Sequence, residues 1–156
     1  RGGTALGSGR GDELIPLPTP SGQWAVLLMP KGLPDPQKTS RLYGLLKHIH
    51  FPSEPTSTID VARKIRAGEK FTPEMFNTFD QVAVDAHFGH LRSWEALRNL
   101  GAENVLLAGA GPTLFTLVNT RNLAQGLARR LSDQGYYALA APFLAARNID
   151  GLPHCD

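Results

Sequence analysis

Apolar residues along this chain fall into short blocks with two different periods. Trp24-Ala25-Val26-Leu27-Leu28-Met29 is an unbroken apolar run of strand length, the pattern of a strand covered on both faces. Val105-Leu106-Leu107-Ala108, Thr113-Leu114-Phe115-Thr116-Leu117-Val118 and Tyr136-Tyr137-Ala138-Leu139-Ala140 read as three further strands. Between them the period becomes helical. Leu42, Leu45, Leu46 and Ile49 follow Thr39 or Ser40 as a cap, with Lys47 and His48 in the last turn. Ile59, Ala62 and Ile65 form a stripe that starts at a Ser57/Asp60 capping box and stops at Gly68. Thr72-Pro73 opens a helical stretch running to Asn99. Phe76, Phe79, Val82, Ala83 and Ala86 form one stripe of it, and Leu91, Trp94, Leu97 and Leu100 another. The break at His87-Phe88-Gly89-His90 divides it in two, and Gly101 ends it. Asn119 or Thr120 caps a last helix with Leu123, Leu127 and Leu131, closed by Gly135.

From Trp24 the order is strand, helices, strand, strand, helix, strand. That order predicts an α+β fold: a ferredoxin-like split βαβ sandwich with extra helices in its first crossover. Right-handed crossovers put four strands in one antiparallel sheet with helices on one face. Upstream, Glu13-Leu14-Ile15-Pro16-Leu17 has strand character after a Gly9-Arg10-Gly11-Asp12 turn, and Pro18 to Gly22 is a connector. Pro30 to Pro36 reads as an ordered loop, and Pro142 to Asp156 carries no clear period. The first residue is Arg1, and apparent secondary structure begins at once, so the chain reads as a piece of a longer protein. The alternative is a native chain that lost its initiator Met.

Composition narrows the function classes. The chain has 156 residues, enough to bury roughly two-thirds of its unfolded surface without metal or disulfide staples. Sixteen Lys and Arg against 14 Asp and Glu leave a net charge of +2, too little to make nucleic acid or an anionic membrane the expected partner. Cys155 is the one cysteine, so no intrachain disulfide forms. No apolar run reaches the ~20 residues of a membrane helix. A cytoplasmic setting is the expectation.

The strongest local chemical signal is Ala108-Gly109-Ala110-Gly111-Pro112-Thr113. Glycines between strands let backbone approach a ligand, and successive N–H groups form an anion nest. The simplest account is a hairpin turn needing positive φ, because a strand follows rather than a helix and Pro112 lacks a donor. His48/His50 and His87/His90 have metal-compatible spacing but no carboxylate or cysteine companion, and with His154 they read as surface or partly packed imidazoles, so no metal is expected. Arg63, Lys64, Arg66, Arg129 and Arg130 read as solvated helix faces, and Asp80 and Asp85 as helix-surface acids unless something pairs with them. No Ser-His-Asp set can be assembled, and no catalytic residue is assigned within the chain.

Four segments together resemble one family. Arg1-Gly2-Gly3-Thr4-Ala5-Leu6-Gly7-Ser8-Gly9-Arg10-Gly11-Asp12-Glu13-Leu14, Lys38-Thr39-Ser40-Arg41-Leu42-Tyr43, Phe76-Asn77-Thr78-Phe79-Asp80 and Ala108-Gly109-Ala110-Gly111-Pro112-Thr113-Leu114-Phe115 resemble, in this order, stretches of the C-terminal half of GHMP-superfamily small-molecule kinases. The branch they most resemble phosphorylates the 2-hydroxyl of a CDP-linked methylerythritol in non-mevalonate isoprenoid biosynthesis. Ala108 and Ala110 stand where serines are common, and Thr78 where an acid is usual. The resemblance implies that 1–22 is strand and linker material of an N-terminal ATP-binding domain and 23–156 the C-terminal domain. It implies that Thr39 hydrogen-bonds substrate, that Tyr43 offers it an aromatic surface, and that Gly109, Ala110, Gly111, Pro112 and Thr113 form a loop at the reacting end. Asn77 would orient a loop nearby. The resemblance further implies that ATP and Mg2+ serve the complete enzyme. It implies that the phosphate loop, catalytic Lys and catalytic Asp belong to the other domain, so this chain alone is expected to bind no cofactor and to be inactive. Removing a partner domain exposes apolar surface, which makes self-association plausible.

Two other readings stay open. One is a GHMP kinase for mevalonate, homoserine or a sugar. The other is a non-enzymatic ferredoxin-like module that binds a small effector.

Overall fold

The computed structural model describes residues 3–30, 37–51, 56–71, 75–86 and 90–144. Strand β3 (Trp24–Met29) is followed by helices α1 (Lys38–Leu45), α2 (Thr56–Ala67), α3 (Asp80–Ala86) and α4 (His90–Asn99). Then come β4 (Leu106–Leu107), β5 (Leu114–Val118), α5 (Arg121–Asp133) and β6 (Tyr137–Pro142). Ahead of these, β1 (Thr4–Ser8) and β2 (Glu13–Leu17) pair, among the described residues, only with each other. The four later strands form one antiparallel sheet in the order β4-β5-β3-β6. That is the split βαβ order expected from the sequence, with three extra helices and a short 3-10 turn (His48–His50) in the first crossover.

The register explains which residues make the core. Leu107, Leu114, Leu28 and Ala138 form one transverse row, and Thr116, Val26 and Ala140 the next. Because strand side chains alternate, both rows point to one face. There they meet Trp94, Leu97, Ala124, Ala128 and Leu131 from α4 and α5 in a single cluster. Alanines on both α5 and β6 allow the helix to lie close over β3 and β6. The opposite face carries Leu106, Phe115, Leu27 and Leu139 in one row, and α2 flanks it at Leu106 and Phe115.

Several helix boundaries depart from the sequence pattern. Helix α1 begins after Gln37, and neither Thr39 nor Ser40 caps it, since both lie inside its first turn. It ends at Leu45, before Lys47 and His48, and Ile49 is 82% exposed in the 3-10 turn. The chain turns there because the His50 ring nitrogen Nδ1 accepts the Lys47 N–H at 2.9 Å, a local bond that competes with helix continuation. Ser57 sits within α2, so the Ser57/Asp60 pair is no capping box, and the buried positions of that helix are Ala62 and Ile65 while Ile59 is exposed. Gly68, at φ 69°, ends α2 as expected. Thr72-Pro73 lies outside the described residues. Residues 75–79 are not helical, so Phe76 leaves the proposed stripe and is exposed. Two separate helices follow, and Gly101 at φ 90° ends the second. Strand β4 is shorter than Val105–Ala108, and β6 begins one residue later and runs on to Pro142.

Helix α5 follows its sequence signals at both ends. Thr120 Oγ1 accepts the Leu123 N–H at 3.2 Å, and Gly135 takes φ 83° beyond the last turn. Its buried face is Ala124, Ala128 and Leu131, with Leu123 turned to solvent. Thr120→Ala should cost about 1 kcal/mol in urea unfolding, with Thr120→Ser restoring most of it. No measurable loss in the alanine variant would show that the cap does not hold this helix.

Candidate functional site

The glycine turn between β4 and β5 is built from its own backbone first. Ala108 N–H donates to Thr113 C=O at 2.8 Å, and Gly111 N–H to Ala108 C=O at 3.0 Å. Gly109 and Gly111 take φ of 60° and 67°, a region that L side chains avoid. A Cβ at Gly109 would meet no atom within 4 Å. The cost of Gly109→Ala is therefore backbone strain alone, expected at about 1–2 kcal/mol in chemical unfolding, with Gly109→Asn costing less. Equal losses for both variants would contradict that account. The Gly109 and Ala110 N–H groups have no partner among the described residues. Gly109 is exposed and Ala110 half-buried.

A second segment holds this turn from outside. Asn77 Nδ2 donates to Leu107 C=O at 3.0 Å and to Gly109 C=O at 2.7 Å. Its Oδ1 accepts the Phe79 N–H at 3.0 Å, which fixes the side chain locally. Asn77 thus bonds two successive stretches of the segment that leads into the turn, at Leu107 and Gly109. Asp80 opens α3, and its Oδ1 accepts the Leu107 N–H at 2.9 Å. Asp80 is thus no simple surface acid. Burial pushes its carboxyl up from 3.8 to about 6, against backbone hydrogen bonds from Leu107 and Asn77 that pull it down. The folded chain holds this proton more tightly than the unfolded one. Asp80 therefore subtracts stability as pH rises from about 4 to about 6.

Helix α1 supplies the third side. Leu42 is fully buried with Val82 of α3, and Ala110 of the turn packs on that cluster with Phe79, Leu45 and Leu46. Tyr43, the next residue, is 62% exposed, and its ring meets Phe79 edge-on at 5.0 Å. Thr39 lies one helical turn before Tyr43, so the two share a face, and Thr39 is exposed. The fold thus gathers Tyr43, Phe79, Asn77, Asp80 and the glycine turn around one small apolar cluster. Thr39 lies beside this group on α1, and among the described residues no hydrogen bond ties it to the turn.

Beside the turn lies an open pocket of about 500 Å3, lined by Val61 of α2, Phe76, Asn77, Leu106, Gly109 and Phe115 among others. Among the described residues no charged side chain is in its lining. Among the described residues no three His, Cys, Asp or Glu side chains group to hold a metal. His50 is used inside its own turn, and His87 and His154 lie outside the described residues. Phe79 and Asp80 were the site residues that spacing did not single out. The available signal was Asn77 three positions before Asp80 at a helix start, where both side chains are placed to take backbone N–H groups.

Residues 92–137 match the family described as GHMP kinases C terminal. A 4-diphosphocytidyl-2-C-methyl-D-erythritol kinase of Dehalococcoides mccartyi is 38% identical over 141 residues, covering 88% of this chain and 48% of that protein. A solved 4-(cytidine 5'-diphospho)-2C-methyl-D-erythritol kinase superposes with a TM-score of 0.68 at 27% identity, over 88% of this chain and 48% of that one. A homoserine kinase from Cytophaga hutchinsonii has a TM-score of 0.70 at 15% identity, over 91% and 49%, which shows a shared fold alone. The chain spans about half the length of the curated relatives it matches. In sequence and in fold, this chain belongs to the GHMP kinases, as a domain of their C-terminal type.

Proposed function

We propose that this chain is the substrate-side domain of an ATP-dependent kinase that phosphorylates the 2-hydroxyl of 4-diphosphocytidyl-2-C-methyl-D-erythritol. The observation that carries this is the 38% identity to a kinase of that name along nearly the whole chain. The homoserine kinase likeness, at 15% identity, says nothing about substrate.

The turn tests what this domain can contribute to ATP chemistry. It offers the N–H groups of Gly109 and Ala110, no cation, and a proline where another donor would stand. Two donors suit one oxygen of a phosphoryl group and are too few to hold a triphosphate. ATP supplies the phosphoryl group to be transferred. In this reading a preceding domain holds it with a glycine-rich loop, a Lys, an Asp and Mg2+. This domain then contributes position: Thr39 hydrogen-bonds substrate, Tyr43 gives it an aromatic surface, and the turn closes the reacting end. Thr39 and Tyr43 are both exposed, which leaves part of each side chain open to a ligand.

The β1–β2 hairpin fits the same reading. It is exposed along most of both strands, with Leu14 and Ile15 in solvent, and among the described residues it pairs with no other strand. A lone hairpin is marginal in water, so residues 1–22 gain their stability from the preceding domain, and 23–156 form the C-terminal domain. Without that partner the exposed apolar side chains favour self-association. Among the described residues no helix is long and apolar enough to cross a membrane. A cytoplasmic enzyme is the setting this reading calls for.

The test is a coupled ADP-release assay with CDP-methylerythritol, run on the complete reading frame and on this chain alone. The complete protein should turn over with that substrate, and the chain alone should not. Turnover by the complete protein with homoserine or mevalonate in place of CDP-methylerythritol would overturn the substrate assignment. Turnover by this chain alone would overturn the division of labour.

A further inference from the structure

We propose that Asp80 is a positioning residue for the glycine turn, acting through the Leu107 N–H that its carboxylate accepts. Asn77 and Asp80 grip the same peptide segment from one short stretch of chain. Asn77 Nδ2 binds the carbonyls of Leu107 and Gly109, and Asp80 Oδ1 binds the amide of Leu107. Leu107 is therefore held at both its N–H and its C=O by side chains 27 and 30 positions earlier. A two-residue strand, Leu106–Leu107, is too short to set the direction of the turn by ladder bonds alone. The turn's own bonds, Ala108 to Thr113 and Gly111 to Ala108, close its shape and leave its tilt against α1 and α3 open. The Asp80 bond fixes that tilt, because Asp80 stands at the start of α3, and α3 also carries Val82, on which Ala110 packs. One rigid helix start thus places the segment that leads to the Gly109 and Ala110 N–H groups.

Half-burial of the carboxyl, in a place where burial raises its pKa to about 6, fits a group retained for the bond it makes. The described titratable side chains on the elements packed against α3 are Arg41 and Tyr43 of α1, His48 and His50 of the 3-10 turn, and Arg92, Glu95 and Arg98 of α4. None is among the causes of the shift. The consequence for catalysis rests on the functional reading above, and the structural claim does not.

Amide hydrogen exchange on the whole 156-residue chain tests the claim. In Asp80→Ala, exchange of the Ala108 and Gly111 amides should quicken about tenfold more than that of Ala128 and Leu131 in α5. Asp80→Asn, which keeps an acceptor oxygen, should bring the turn amides back to within about threefold of the parent chain. A turn that exchanges no faster, a rise shared equally with α5, or no rescue by Asn overturns the proposal. Should Asp80→Ala fail to fold, the parent chain decides by nuclear magnetic resonance. The Leu107 and Gly109 amide shifts should then titrate together near pH 6, and a flat Gly109 amide overturns the proposal. Failure of the complete protein to phosphorylate CDP-methylerythritol would remove the functional reading and leave these exchange rates unaffected.

Discussion

Trp94→Ala should destabilise the folded chain by about 3–5 kcal/mol, a large share of the ~5–15 kcal/mol that a domain of this size possesses. The indole is 6% exposed and sits in the main core with Leu97, Leu107 and Leu114. Its Nε1–H donates to the Val105 carbonyl at 3.0 Å, in a place where Val105 itself is buried. Truncation removes the packing and leaves that carbonyl without its donor. Val105 is the residue just before β4, so the same bond anchors the strand that enters the glycine turn. Trp94→Phe keeps much of the ring volume and loses the donor, and should cost about 1–3 kcal/mol. Urea unfolding followed by circular dichroism reads both. A loss below about 1 kcal/mol in Trp94→Ala would mean that the core closes over the gap, and the anchoring role would go with it.

Asn77→Asp should be the most damaging change at the site that keeps side-chain shape. The amide Nδ2 serves two carbonyls, at 3.0 and 2.7 Å, and an ionised carboxylate has no donor to replace it. Two carbonyl oxygens would face a negative charge, and Asp80 would gain a like-charged neighbour three residues away. In the complete kinase proposed above, kcat should fall about 100-fold, the scale of a displacement of about 1 Å at a reacting centre. KM for CDP-methylerythritol should change by less than about threefold, because Asn77 holds the turn and is not assigned to the substrate. Steady-state kinetics on the purified variant separates the two constants. An unchanged kcat would show that the turn needs no support from Asn77, and a rise confined to KM would place Asn77 against the substrate instead.

The strands and the last helix were legible because their signals are local and mutually consistent. Trp24 to Met29 is apolar without interruption, Thr120 precedes a helical stripe, and Gly135 follows it. Each position states its preference without knowing the rest of the fold. The failures share a different cause. Thr39 has good cap chemistry, yet the helix starts earlier, at Lys38, where packing of Leu42 on Val82 sets its phase. Ile49 and Leu123 match helical spacing, yet both face solvent, since burial depends on which face a neighbour covers. Leu91 shows the same in α4, where Trp94, Ala96 and Leu97 are the residues buried in the main core. Asp80 looked like a solvated acid because its partner, the Leu107 amide, lies 27 residues downstream.

Periodicity and turn chemistry were enough for the order of elements along the chain, the glycine turn, the three helix-ending glycines Gly68, Gly101 and Gly135, and the family resemblance, since all of these rest on neighbours in the chain. Only packing over long separations could bring Asn77 and Asp80 onto the segment at Leu107 and Gly109, and set the Tyr43 ring edge-on to Phe79. The physical reason is that a backbone amide or carbonyl carries no mark of its future partner. Which side chain it meets is decided when α3 and β4 come together in the folded chain.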